Sequence, residues 1–163
     1  MELIISLLIF GIVTTGTVVQ SNQNGQELVE ETIPVKESLF LTMERTPCFG
    51  KCPNYKITIF NTGRVIYEGI QFVEKEGKFE SQLSKAQMKE ITSTMNSINI
   101  FGMKDKYDSN ITDIPACLLY INDGEQKKKI YDRYGGPDEL RDFEKLIDKL
   151  VLNSSLIKVD KAK

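Results

Sequence analysis

Residues 45–55 read Arg45-Thr46-Pro47-Cys48-Phe49-Gly50-Lys51-Cys52-Pro53-Asn54-Tyr55, and this stretch decides how the chain around it folds. Each proline fixes φ and pushes the residue before it toward extended backbone, while Gly50 is free to adopt a positive φ if the loop must reverse. Such a loop brings Cys48 and Cys52 within disulfide reach, with Cα atoms roughly 5.5–6 Å apart. The sequence therefore predicts a structural disulfide, which for so small a loop stabilises the fold by about 2 kcal/mol.

The cysteines have other interpretations, which the sequence leaves open. Cys48 and Cys52 could act as a redox dithiol, although catalytic dithiols usually have two intervening residues and lie at a helix N-terminus. They could also remain reduced. Cys117 alternates with Leu119 and Ile121 and is predicted to be a small buried hydrophobe.

Alternating apolar residues flank the cysteine stretch on both sides, which predicts β-strands. Leu39, Leu41 and Met43 precede it, and a second alternating run begins at Tyr55. The turn Asn61-Thr62-Gly63 then leads to two further strands, over residues 64–73 and 78–83. These runs predict an antiparallel meander of about four strands.

Helical signals follow the meander. Ser84 and Gln87 form a capping box, and the apolar spacing after them predicts a helix that ends near Asn99. The Asp123-Gly124 pair predicts a second hairpin, and Pro137 is predicted at the first position of a C-terminal helix. The apolar face of that helix is Leu140, Phe143, Leu146, Ile147, Leu150 and Val151. The predicted fold class is α+β.

Composition restricts the function. The chain has 163 residues, a net charge of −2 and no histidine. The missing imidazole excludes Ser-His-Asp and Cys-His nucleophiles and every His-containing metal site, and the net charge gives no field that would attract nucleic acid. A zinc site would have to combine Cys48, Cys52, Cys117 and a fourth ligand such as Asp113, and is not favoured. The sequence therefore predicts no enzyme activity, no metal, no cofactor and no nucleic-acid partner.

The chain divides into four predicted segments. Residues 1–21 read as a signal peptide cleaved after Ser21, or as an uncleaved membrane anchor at residues 3–19. Residues 22–36 are predicted to be a flexible tether, residues 37–152 a single domain, and residues 153–163 a frayed basic tail. The protein is therefore predicted to be exported, to the periplasm or the cell envelope, and to associate with the membrane only if the N-terminal segment is retained.

The motif residues also resemble a known family. The run Arg45-Thr46-Pro47-Cys48-Phe49-Gly50-Lys51-Cys52-Pro53 followed by Tyr55 is similar to a family of bacterial envelope domains with no assigned function. Thr62-Gly63-Arg64-Val65, Thr112-Asp113-Ile114-Pro115 and Tyr134-Gly135-Gly136-Pro137 resemble its later signatures. The resemblance spans residues 38–150 and implies an exported α+β domain, often a lipoprotein in relatives, without assigning catalytic residues.

The functional hypothesis is an exported, non-catalytic domain that binds an unknown envelope protein or ligand. The predicted binding residues are Phe49, Lys51 and Asn54, with Asp113 as a possible neighbour. Arg45, Lys51 and Arg64 would give this corner basic surroundings if the fold brings them together. The alternatives are a thiol-disulfide redox protein that uses Cys48 and Cys52, and a membrane-anchored structural protein.

Overall fold

A computed structural model describes residues 36–159 of the protein. The predicted signal peptide or anchor at residues 1–21 lies outside the described residues. So do all but the last residue of the predicted tether at 22–36, and the end of the tail from residue 160.

Eight strands form one sheet in the described part of the chain. They are β1 (Leu39–Arg45), β2 (Asn54–Phe60), β3 (Arg64–Gln71), β4 (Gly77–Gln82), β5 (Lys106–Tyr107), β6 (Cys117–Asn122), β7 (Lys127–Asp132) and β8 (Ile157–Lys158). Their order across the sheet is β5-β7-β6-β1-β2-β3-β4-β8, and every neighbouring pair is antiparallel except β5 and β7. The predicted meander is β1–β4, and the predicted hairpin β6–β7 joins the same sheet beside β1.

Two helices complete the fold of residues 36–159. α1 (Lys85–Ser97) begins at the predicted capping box, in which the Ser84 hydroxyl accepts from the Gln87 amide and the Gln87 side chain accepts from the Ser84 amide. α2 (Asp138–Leu152) carries acidic residues in its first turn, which complement the positive end of the helix dipole. A single 3₁₀ turn, Ile100–Gly102, follows α1. The architecture confirms the predicted α+β fold class.

The core lies between the helices and one face of the sheet. Alternate residues of the strands are buried, and they form one row across the meander in which Met43, Ile57, Tyr67 and Phe79 are successive register partners. Apolar residues of both helices belong to the same buried cluster. The residues that alternate with this row lie on the opposite face, which neither helix covers. We call it the open face.

α2 crosses the strands near one end of the sheet. Its Glu144 contacts Arg45 at the end of β1, and Asp148, one turn later, contacts Tyr55 near the start of β2. Just beyond the helix, the Ser154 hydroxyl is 2.6 Å from the Ser81 hydroxyl of β4. At Glu144 and Asp148 the helix therefore lies close to the loops that leave this end of the sheet, whereas the segment that follows it reaches toward the other end of β4.

The structure differs from the sequence predictions at three boundaries. β3 ends at Gln71 instead of residue 73 because Phe72 turns the chain with a positive φ of 57°. Pro137 is the N-cap of α2 instead of its first helical residue. Residues 153–159 are not frayed: Ile157 and Lys158 pair with β4, and the Val159 amide donates to the Lys78 carbonyl at 2.9 Å. This pairing satisfies backbone groups that the edge of β4 would otherwise leave free.

Candidate functional site

The β1–β2 loop carries the predicted disulfide, which the structure confirms. Cys48 and Cys52 are bonded, and their Cα atoms lie 5.6 Å apart. Two hydrogen bonds tie the loop to the start of β6: the Thr46 amide donates to the Ala116 carbonyl at 2.9 Å, and the Ala116 amide donates to the Thr46 hydroxyl at 2.8 Å. Gly50 is not among the residues with positive φ, so the loop reverses without using that freedom.

The four predicted binding residues lie at the same end of the sheet but on separate segments. Phe49 is 91% exposed at the tip of the β1–β2 loop, and Lys51 next to the bridge is also exposed. Asn54 is the first residue of β2, opposite Gln71 of β3. Asp113 lies in the β5–β6 loop with a φ of 68°. No hydrogen bond or ion pair within residues 36–159 joins Asp113 to the other three.

The predicted basic surroundings of the corner are not formed. Arg45 turns toward α2 and pairs with its carboxylates. Arg64 begins β3 at the opposite end of the sheet, where it is 2.7 Å from Glu37. Lys51 is the only one of the three that stays at the corner.

Exposed apolar side chains concentrate at this end of the sheet. We call it the loop end, and it consists of the β1–β2, β3–β4, β5–β6 and β7–α2 loops, the last two residues of β3 (Ile70 and Gln71) and the C-terminus of α2. Seven large hydrophobic side chains are exposed between residues 36 and 159, and six of them belong to the loop end. These six are Phe49, Ile70, Phe72, Ile111, Tyr134 and Leu152. Exposed apolar side chains that cluster mark interaction sites on soluble domains, and these six lie on segments at the same end of the sheet.

An apolar pocket of about 260 Å³ lies within the loop end, between the β3–β4 loop and the end of α2. It is lined mainly by Tyr55, Tyr67, Phe72, Val73, Leu152 and Leu156. Phe72 is 44% exposed and keeps its φ of 57°, a backbone conformation that costs a bulky residue about 1–3 kcal/mol. Such strain persists only where the surrounding structure holds it, and it is frequent at binding sites.

A buried ionic cluster supports the loop end from below. The Arg45 guanidinium donates to Glu144 Oε2 and to Asp148 Oδ2, both at 2.8 Å, and the Tyr55 hydroxyl donates to the other oxygen of Asp148. The Glu144 side chain is only 4% exposed. Its Oε1 has no hydrogen-bond partner in the described part of the chain. The cluster connects β1, β2 and α2 at the base of the disulfide loop.

Burial controls the protonation of this cluster. It raises the pKa of Glu144 above its ordinary value, although Arg45 beside it acts in the opposite direction. Burial, followed by the hydrogen bond to Asp148, raises the pKa of Tyr55. Burial also raises the pKa of the Cys117 thiol, which lies beside Glu144, well above its usual range. Because the thiolate is the reactive form of cysteine, this direction of the pKa disfavours reaction at Cys117.

The sequence indicated only part of this arrangement. Glu144 lies within the apolar stripe of α2, between the buried Phe143 and Ile147, where a charged residue requires a partner. That position could have predicted a buried ion pair. Nothing local to the sequence identifies Arg45 as the partner, because the two residues are 99 positions apart.

Within residues 36–159, no three side chains of ligating type converge to hold a metal ion. In the same part of the chain, neither helix has the length and apolar character that a membrane span requires. The loop end instead offers exposed aromatic and aliphatic side chains on loops tied to the core.

The comparisons with known proteins give a family without a function. Residues 39–151 match the family model described as a domain of unknown function, DUF6438. No curated protein matches the chain.

Proposed function

Because the chain belongs to the DUF6438 family, whose function is unknown, we propose a function from its own surface: a non-catalytic, exported domain that binds a protein partner at the cell envelope through the loop end. The observation that carries this proposal is the clustering there of six of the seven exposed large hydrophobic side chains. Leaving such side chains in water forgoes about 1.5–3 kcal/mol each relative to full burial. A partner that covers them recovers part of that free energy.

The rigidity of the loop end supports a binding function. The disulfide and the Thr46–Ala116 hydrogen bonds hold the β1–β2 loop, and the ion pairs of Arg45 hold the strand before it. A surface that is ordered before binding loses less conformational entropy when the complex forms. Phe49 at the tip is therefore a pre-positioned aromatic anchor, and aromatic side chains are enriched in the cores of protein interfaces.

The pairing and the protonation of the polar side chains near the loop end support a non-catalytic role. The Arg45 guanidinium donates a hydrogen bond to the Asp148 carboxylate, so both groups are paired. Burial raises the pKa of the Cys117 thiol. In the redox alternative, Cys48 or Cys52 would need a lowered pKa, which catalytic dithiols obtain from a helix N-terminus. Here Cys52 is followed by β2 instead.

Export is supported by the disulfide together with the predicted signal segment. A structural disulfide persists in oxidising compartments and is rare in the cytosol. The membrane-anchored alternative depends on whether residues 3–19 are retained, and those residues lie outside the described part of the chain.

Site-specific photo-crosslinking in cells of the native host tests the proposal. The photoreactive p-benzoylphenylalanine replaces Tyr134 at the loop end, and as a matched control it replaces the exposed Lys89 of α1. We expect a discrete crosslinked adduct from position 134 and none from position 89. Combining Phe49→Ser and Lys51→Ser with the probe at 134 should remove the adduct, because the anchor and its neighbouring charge are lost.

Two results would contradict the proposal. The first is no adduct from the probe at 134. The second is an adduct that also forms from position 89, or that persists in the Phe49→Ser, Lys51→Ser background.

A further inference from the structure

A second candidate site lies on the open face, where β1, β6 and β7 form a concavity of about 500 Å³. Consecutive residues of β6 (118–120) and β7 (127–131) line it, together with Phe101 of the 3₁₀ turn and Asp105, whose carboxylate pairs with Lys128 at 2.7 Å. Ile130 of β7 is buried in the core, so Lys129 and Tyr131 on either side of it project to the open face. The loop-end proposal does not involve this surface.

Lysines without partners surround the concavity. Lys56, Lys127 and Lys129 line it, and none of them forms an ion pair or a side-chain hydrogen bond within residues 36–159. Lys106 lies at its edge, with its ammonium 5.5 Å from the centroid of the Tyr131 ring and 3.0 Å from Asp108. The charge of the concavity therefore complements an anion.

The floor of the concavity combines aromatic rings with both donors and acceptors. Tyr120 is the register partner of Lys129 and of Thr42, and Leu118 is the partner of Tyr131 and of Glu44. The Glu44 carboxylate forms no ion pair in the described part of the chain, although Lys56 is its register partner in β2. The Glu44 carboxylate, a hydrogen-bond acceptor without an ion-pair partner in the described residues, thus lies among lysines that also have none.

This combination distinguishes between classes of anion. A densely charged polyanion gains from the lysines but is repelled by the Glu44 and Asp105 carboxylates in the lining. A sugar ring has apolar C–H faces that pack against the apolar body of a tyrosine, and hydroxyl groups that need donors and acceptors together. An acidic sugar adds a carboxylate or phosphate that charge-assisted hydrogen bonds from lysine recognise.

We propose that the open-face concavity binds an acidic saccharide. Lys56, Lys127 and Lys129 hold its anionic group, Tyr120 packs against a sugar ring, and Glu44 and Thr42 accept from its hydroxyls. The overall charge of −2 agrees with a site of local positive charge instead of a general affinity for polyanions.

Titration calorimetry with an oligosaccharide of galacturonic acid as the probe tests this site. We expect wild-type binding that weakens as salt is added, because salt screens the lysines, and no binding of the uncharged galactose oligosaccharide. Lys127→Glu combined with Lys129→Glu should weaken binding about tenfold or more. The matched control is Lys78→Glu combined with Lys89→Glu, which makes the same charge change at exposed positions away from the concavity and should leave the affinity unchanged.

A further variant separates stacking from charge. Tyr120→Leu keeps an apolar side chain and the net charge but removes the ring, and we expect it to weaken binding about tenfold, with an unchanged melting temperature as the check on folding. The proposal is overturned if the wild type does not bind the acidic probe, or if the Lys127→Glu, Lys129→Glu variant binds it as well as the control does. Equal wild-type affinity for polyglutamate or oligothymidylate also overturns it, since charge alone would then explain binding.

Discussion

At the scale of the residue, Arg45 links the disulfide loop to the helix beneath it. It is the last residue of β1, and its guanidinium contacts two carboxylates of α2 at 2.8 Å each. The sequence predicted that Arg45, with Lys51 and Arg64, would give the cysteine corner basic surroundings if the fold brought them together. The structure instead gives it a partly buried, structural role.

Removing the Arg45 side chain should destabilise the fold strongly. Arg45→Ala leaves the buried Glu144 carboxylate without its cation, and breaking a buried pair in this way costs about 3–5 kcal/mol. Arg64→Ala is the matched control, because Arg64 also pairs with two carboxylates, but those of Glu37 and Glu80 are exposed where Glu144 is buried, and exposed ion pairs contribute about 0–1 kcal/mol. Urea unfolding of both variants measures the difference in their free energies of unfolding. Equal losses of this free energy would show that the buried Glu144 carboxylate does not depend on Arg45.

At the scale of the element, the β3–β4 loop is the segment that builds the apolar pocket. It folds back over Gly69 so closely that a Cβ at this position would lie 1.9 Å from the Lys75 carbonyl oxygen. The prediction of a strand through residue 73 rested only on the alternating apolar pattern. The tight return of the loop, and the positive φ of Phe72 that it requires, depend on contacts with neighbouring elements.

A methyl group at Gly69 should therefore displace this loop. Gly69→Ala is expected to lower the free energy of unfolding by about 1–3 kcal/mol, as overpacking does in well-packed cores. Gly50→Ala in the β1–β2 loop is the control, since the nearest atom to its Cβ is Cys48 Sγ at 3.9 Å and its φ is not positive. Chemical denaturation compares the two variants. A Gly69→Ala protein as stable as Gly50→Ala would mean that the loop is free to move.

At the scale of the whole molecule, the three cysteines occupy two different environments. Cys48 and Cys52 form a bridge in a loop, while Cys117 is buried in the core at the start of β6. The bridge closes a short segment and stabilises the β1–β2 loop locally. Access to Cys117 requires the sheet and α2 to separate, so its reactivity reports on the integrity of the entire domain.

Thiol counting on the purified, unreduced protein measures this directly. We expect no reaction with an aromatic disulfide reagent in the native state, one thiol per chain after unfolding in denaturant, and three after reduction, since the chain has three cysteines. Three reactive thiols in the unfolded but unreduced protein would show that the bridge is absent. A rapidly reacting Cys117 in native protein would show that the core opens there.

Local sequence patterns were enough to predict the strands around the disulfide loop, the capped first helix, the Asp-Gly hairpin and the amphipathic last helix. These follow from periodicity and turn residues, which act over a few neighbouring positions. Four features became visible only in the folded molecule: the hairpin pairs with β1, Arg45 contacts Glu144, six exposed hydrophobic side chains lie at the loop end, and residues 157–158 extend the sheet. Those features join positions far apart in the chain. The energies of these pairings depend on which surfaces meet, and no local sequence pattern encodes that choice.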